Sequence, residues 1–227
     1  MFHIDENYVT YNYNGTGVTV RFVTSICILG VTIDASLSFD LHVTKTIASC
    51  NNYIRALKHI RSSLTKQAAI TIACSLINTR LDYCNSLLYH TSSYNLVRLQ
   101  RVQNNVARAV FMLRRQDSVR SSIRDLHWLR IDERINYKIA VLTYRAVNSH
   151  KPIYLSEFLN PQACVRSLRS GSRTLLAVPH CKLRGSDSGF HSAAPSVWNN
   201  LSEYVKTSSS LDVFKRRLKS ELFARSS

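Results

Sequence analysis

The chain has 227 residues, enough to bury a core without metal or disulfide staples, and its 45% hydrophobic and 19% charged residues exclude wholesale disorder. Thirty Lys+Arg against 14 Asp+Glu give a net charge of +16, an excess best offset by a polyanion, for which nucleic acid is the first candidate. The acidic opening Met1-Phe-His-Ile-Asp-Glu and the lack of a long apolar run argue against a secretory leader and a membrane span.

Residues 7–34 read as strands. Tyr8–Tyr13 and Val18–Val23 are rich in β-branched and aromatic residues, and Asn14-Gly15 between them suits a tight hairpin. A further apolar run, Ile26–Leu29, reaches Gly30 and resumes at Val31. From Ser38 the period becomes helical: Val43, Ile47, Cys50, Ile54 and Leu57 recur at steps of four and three. Ser62-Ser63 ends that helix and Thr65 caps the next, over about 66–89, which is apolar on nearly all sides and therefore expected to be buried.

The segment 95–114 predicts a helix with Leu99, Val102, Val106, Val110 and Leu113 inward. On its other face Arg101, Arg108 and Arg115 follow at intervals of seven, which places them in one row on a continuous helix, with Arg98 and Arg114 beside them and Asn104 and Asn105 adding amide donors. A solvated helix face would look similar, but no acid lies between Asp82 and Asp117. Another helix is expected at 131–148, with Asp132 and Glu133 in its first turn. The four prolines lie at 152 and beyond, so 160–190 reads as irregular or β-containing. Two helices follow, around Ala193–Leu201 and Leu211–Phe223, the second preceded by Ser209-x-x-Asp212 in capping-box spacing.

The charge divides along the chain. Residues 1–40 carry one base and four acids, residues 41–116 eleven bases and one acid, and residues 117–227 eighteen bases and nine acids. The net charges are therefore −3, +10 and +9. The cations expected to meet phosphate are Arg55, Lys58, Arg61, Lys66, Arg98, Arg101, Arg108, Arg114 and Arg115.

Chemistry beyond binding finds little support. No Gly-x-Ser-x-Gly elbow, Walker loop or dinucleotide fingerprint occurs. The six cysteines include no C-x-x-C pair and are expected as free thiols; Cys164, His180, Cys181 and His191 fit no usual zinc spacing. Trp128 and Trp198 sit among apolar neighbours and are expected in the core, and Asp34 and Asp40 flank a strand-to-helix turn as turn or cap residues. No catalytic residue, metal ligand or cofactor site is assigned.

Ordered blocks through about 28–224 resemble a known family. They include Leu29-Gly-Val-Thr-Ile-Asp34, Arg80-Leu-Asp-Tyr-Cys-Asn-Ser-Leu-Leu-Tyr89, Leu99-Gln-Arg-Val-Gln-Asn104, Asp125-Leu-His-Trp-Leu129 and Ser192-Ala-Ala-Pro-x-x-Trp-Asn199. This succession resembles the region downstream of the catalytic palm in LINE-type, jockey-like non-LTR retrotransposon reverse transcriptases. The resemblance implies that Leu29 and Gly30 match the primer grip, the β-hairpin that positions a primer end. It implies that the helices after it match the thumb, which holds the template–primer duplex, and that the remainder is the element's C-terminal region.

The family's palm ends in an Asp-Asp motif that binds magnesium, and this chain contains no Asp-Asp pair. The expectation is thus a mostly α protein with a β-hairpin or three-strand element at 1–37, a thumb-like bundle at 38–150 and a C-terminal region at 151–227 ending in two helices. As a truncated, catalytically incompetent RNA-directed DNA polymerase fragment, it would bind RNA, DNA or their hybrid without sequence preference, in the nucleus or cytoplasm. Self-association through an exposed strand edge is also expected. A helical protein-interaction module with no nucleic-acid role is the alternative.

Overall fold

A computed structural model describes residues 2–5, 8–13, 16–21, 23–161, 175–179 and 189–225, with side chains from residue 23 onward. Among the described residues the chain is mostly helical, as its periodicity predicts, with its strands at the start. It forms two compact units, residues 1–42 and 43–227.

The first unit contains two antiparallel sheets. Strands β1 (Phe2–Asp5), β2 (Tyr8–Tyr13) and β3 (Thr16–Arg21) make one in that order, with Tyr13 opposite Thr16 and Phe2 opposite Tyr11. The expected Asn14-Gly15 turn lies outside the described residues. Strand β1 lies before the strands that the sequence predicts, Phe2–Asp5 being too short to establish a period. The second sheet pairs β4 (Ser25–Ile28) with β5 (Val31–Asp34), with Ile28 opposite Val31.

The second unit is built on helices. Helix α1 (Asp40–Ile60) runs into it with the predicted stripe: Val43, Cys50, Ile54 and Leu57 are buried. Burial also pushes the Cys50 thiol up to about 11, so it acts as a small core hydrophobe rather than a nucleophile. Thr65 caps α2 (Lys66–Ile72) by accepting the Ala68 N–H at 3.2 Å, as expected. The helix predicted over 66–89 does not continue regularly. It passes into a π-helical turn at Ala73–Asn78 and a short α3 (Thr79–Asp82), and Cys84 ends it in the left-handed conformation. Nor is it buried all round: Leu76, Tyr83 and Leu87 are exposed, since the wider π turn changes which side faces the neighbours.

Helix α4 (Ser93–Phe111) starts on the Ser92 hydroxyl, which accepts the Asn95 N–H. It buries Leu99, Val102, Val106 and Val110, as predicted. A short α5 (Arg120–Asp125) leads to α6 (Ile131–Ser149), the central helix. After α7 (Ile153–Ser156), the described part of 160–190 is extended: Pro161 forms a single antiparallel bridge with Leu176. Helices α8 (Phe190–Asn199) and α10 (Leu211–Arg225) match the two predicted helices. A short α9 (Glu203–Lys206) lies between them. The hydroxyl that caps α10 belongs to Ser210, which accepts the Val213 N–H, rather than to Ser209 of the expected capping box.

The core lies where α6 meets α8 and α10. Trp198 and Phe214 are almost wholly buried, with ring centroids 6.1 Å apart, and Tyr144 stacks on Phe214 at 4.2 Å. The Tyr144 hydroxyl donates to the Ser208 carbonyl at 2.8 Å, joining residues 64 positions apart. Trp128 is buried too, so both tryptophans serve the core as expected. Buried amides join α4 to the segment before α6. Gln103 donates to the Leu129 carbonyl at 2.8 Å, and Gln100 accepts the Ile131 N–H at 3.1 Å.

Candidate nucleic-acid interface

The hairpin between β4 and β5 turns on two residues. Leu29 (φ 48°) and Gly30 (φ 80°) both have positive φ, the requirement of a type I′ turn between paired strands. Glycine meets it without strain, but leucine has a Cβ there and costs on the order of 1 kcal/mol. Leu29 is also 85% exposed, so an apolar side chain is held at the tip of a strained turn.

The exit from the hairpin is fixed by Asp34. Its carboxylate accepts the Ser36 hydroxyl at 2.6 Å, and the Ser38 and Phe39 backbone N–H groups at 2.9 Å each. These donors, Ser36 foremost, hold its carboxyl down at about 2. Asp34 is thus a turn residue, as the sequence suggests. Asp40 stands in the first turn of α1, where the backbone N–H donates to the Ser38 hydroxyl.

In the helical unit, the predicted cations fall into two groups. Arg55, Lys58, Lys66, Arg101, Arg114 and Arg115 are exposed. Among them, Arg55 donates to the Asn52 side chain, and the Lys66 ammonium lies 4.2 Å from the centroid of the Phe111 ring. Arg61, Arg98 and Arg108 are half-buried. Arg61 donates from Nε to the Val110 carbonyl and from Nη1 to the Leu64 carbonyl, both at 2.8 Å, tying the end of α1 to the end of α4. Arg98 donates to the Thr44 hydroxyl at 2.9 Å and lies over the Tyr94 ring. These partners are neutral, so the positive charge of each guanidinium is anchored but not cancelled.

The row of three arginines does not form. Met112 adopts the left-handed conformation (φ 57°), its N–H bonds back to the Arg108 carbonyl, and α4 stops at Phe111. Arg115 therefore lies in the following turn, where the Arg114 N–H donates to the Asp117 carboxylate at 2.7 Å. Arg101 points outward with Asn105, whereas Arg108 is partly enclosed and donates from Nη2 to the Asp117 carbonyl at 3.4 Å. Asn104 accepts from the Gln100 side chain at 2.9 Å and so belongs to the amide network.

The single acid of residues 41–116 is engaged by a later helix. Asp82 receives Arg134 of α6 in a bidentate pair, Nε to Oδ1 at 2.7 Å and Nη2 to Oδ2 at 2.5 Å. Among the described residues, none of the nine candidate cations forms a salt bridge with a carboxylate. Each of them thus keeps its positive charge without a carboxylate paired to it. Six of the nine are exposed and three half-buried, and long flexible cations of this kind suit phosphate contact rather than base reading. The described residues contain no group of three or more His, Cys, Asp or Glu side chains that could hold a metal ion. No described helix is long and apolar enough to cross a membrane. The chain matches no protein-family model, no curated protein and no solved structure.

Proposed function

We propose that the helical unit binds double-stranded nucleic acid, RNA–DNA hybrid included, through contacts between its un-neutralised cations and the phosphate backbone. The observation that carries this reading is the fate of Asp82: the one acid among eleven bases is paired with Arg134, outside that segment. Self-repulsion of this kind is relieved most fully by a polyanion. The ordered sequence blocks support a relation to the primer grip, thumb and C-terminal region of non-LTR reverse transcriptases. In that relation the exposed Leu29 at a strained hairpin tip corresponds to the primer-contacting element. With no Asp-Asp pair in the chain, the function is holding a duplex rather than extending it, in nucleus or cytoplasm.

Fluorescence anisotropy with labelled DNA duplex and RNA–DNA hybrid tests the proposal. Affinity is expected to fall with salt at a log–log slope of about −3 to −5, with similar values for unrelated sequences. Combining Arg101→Glu, Arg114→Glu and Arg115→Glu is expected to weaken binding about a hundredfold and flatten the slope. Affinity that ignores both salt and these substitutions would refute the proposal. Primer extension with added magnesium is expected to yield no product, and template-dependent synthesis would overturn the non-catalytic part of the reading.

A further inference from the structure

A second concentration of positive charge appears only in three dimensions. A cavity of about 450 Å³ opens between the second half of α4, the turn after it, α5 and the end of α10. Arg108, Arg120, Arg124 and Arg130 all line it. Three of them come from the segment after residue 116, where bases and acids are interspersed and no patch is evident in the sequence. The spacing of Arg120 and Arg124 is the one visible clue, since residues four apart on a helix share a face.

Acids do not neutralise this cavity. Among the described residues that line it, Asp117 is the one acid, so a single carboxylate stands against four guanidinium groups. Asp132 reaches Arg130 from the side, Nε to Oδ1 at 3.5 Å, with both side chains about half exposed. Such an exposed pair offsets little charge. Arg108 is the most enclosed of the four. Its guanidinium is half-buried, its only hydrogen bond is the long one to the Asp117 carbonyl, and its Nε is buried with no partner. A partly buried cation so poorly satisfied is costly unless an anion stands close by.

Part of the remaining wall is apolar, with Val119, Ile123, Trp128 and Phe223, and part is neutral and polar, with Gln100, Asn104, Gln116 and Ser118. We infer that this cavity is a binding site for an organic phosphate ester, its phosphate held by Arg108, Arg120, Arg124 and Arg130 and its organic part set against Ile123, Trp128 and Phe223. Guanidinium groups match the oxygens of phosphate in pairs, and several of them suit the multiple oxygens of a phosphate ester better than a single carboxylate. The ester comes either from a nucleic-acid strand or from a free phosphorylated molecule. The site differs from the open cationic surface in asking for one phosphate at one place, and it stands whether or not that surface binds duplex.

Calorimetric titration of the full chain with phenyl phosphate at constant ionic strength tests it. A saturable single-site isotherm is expected, tighter than for inorganic phosphate, with no binding of phenol. Arg120 and Arg124 are exposed, so Arg120→Gln with Arg124→Gln should leave the fold intact while weakening binding about tenfold or more. Arg145→Gln, at an exposed position on α6 outside the cavity lining, should change it less than about twofold. Absence of saturable binding, or binding unchanged in the double variant, would overturn the inference. Competition then identifies the source. Displacement by a short blunt duplex without terminal phosphates supports a backbone phosphodiester, and displacement only by a 5′-phosphorylated strand or a mononucleotide supports a monoester.

Discussion

Residues 43–116 and residues 117–225 are similarly rich in bases but manage them differently. In every salt bridge among the described residues the cation lies at position 130 or beyond: Arg130, Arg134, Lys206, Lys215 and Arg225. Even the buried Lys206 has Glu203 at 3.3 Å. In the earlier region the half-buried arginines are held by carbonyls, hydroxyls and rings instead. Arg80 shows this plainly, bonded to Ser49, Tyr53 and the Leu76 carbonyl and lying 4.1 Å from the centroid of the Tyr53 ring. Neutral partners fix a cation's position and leave its field intact, whereas a carboxylate cancels much of that field. The contrast separates a region whose cations keep their field from one in which five cations have a carboxylate beside them.

The largest expected effect comes from moving charge reversal between the regions. If the three glutamates at 101, 114 and 115 reduce duplex affinity about a hundredfold, three at Lys138, Arg145 and Lys215 should reduce it less than about fivefold. Equal losses in an anisotropy titration would erase the distinction and leave only net charge as the cause. Next is the pair that joins the two regions. Arg134→Ala strands Asp82 and should cost about 2–3 kcal/mol in urea unfolding, below the full buried-pair penalty because the Asp82 side chain is 47% exposed. Duplex affinity should hold or fall slightly, because the Asp82 charge is no longer cancelled, and a fall of more than about tenfold would assign Arg134 to the interface.

Smaller effects probe the later region alone. Tyr144→Phe keeps the stacked ring and removes only the bond to Ser208, so a loss of about 1 kcal/mol is expected. Glu133 should act in the opposite direction. Burial raises its pKa, reinforced by neighbouring Asp132 and opposed by Arg225 and Arg130, and its Oε2 is buried without a partner. An acid with a raised folded pKa favours folding when protonated and loses that advantage as pH rises through the shifted value. Glu133→Gln should therefore stabilise the protein by about 0.5–1 kcal/mol near neutral pH, and the gain should fade at acid pH as the wild-type carboxyl takes up its proton through the raised pKa. Thermal melts at the two pH values distinguish this from a pH-independent packing change.

Periodicity revealed what depends on which side of an element is apolar. The α1 stripe, the inward residues of α4 and both tryptophans are of this kind. It failed where a local backbone choice intervened. Leu113 continues the apolar spacing after Val110, so the end of α4 carries no compositional warning. The residue that turns left-handed is Met112, not the glycine or asparagine that usually marks such a stop. The π turn at 73–78 is equally silent, because it reassigns faces without changing composition. The charge count correctly marks 41–116 as acid-poor, but it cannot tell an exposed arginine from one turned toward a carbonyl. Nor could it assemble the cavity of Arg108, Arg120, Arg124 and Arg130, whose members are separated in sequence and meet only through the packing of α4, α5 and α10.

The central position of α6 bears on how the protein is made. Its buried residues Ile135, Ile139 and Tyr144 meet partners on both sides of it in sequence, with α4 before it and α8 and α10 after it. During synthesis that helix leaves the ribosome well before Trp198 and Phe214 exist to cover it. For that interval the nascent chain presents an apolar helix flank beside a strongly cationic surface, a combination prone to associate with whatever is nearby. Completion of the unit waits for the last helix, so the yield of native protein should depend on α10 more than on any strand of the first unit.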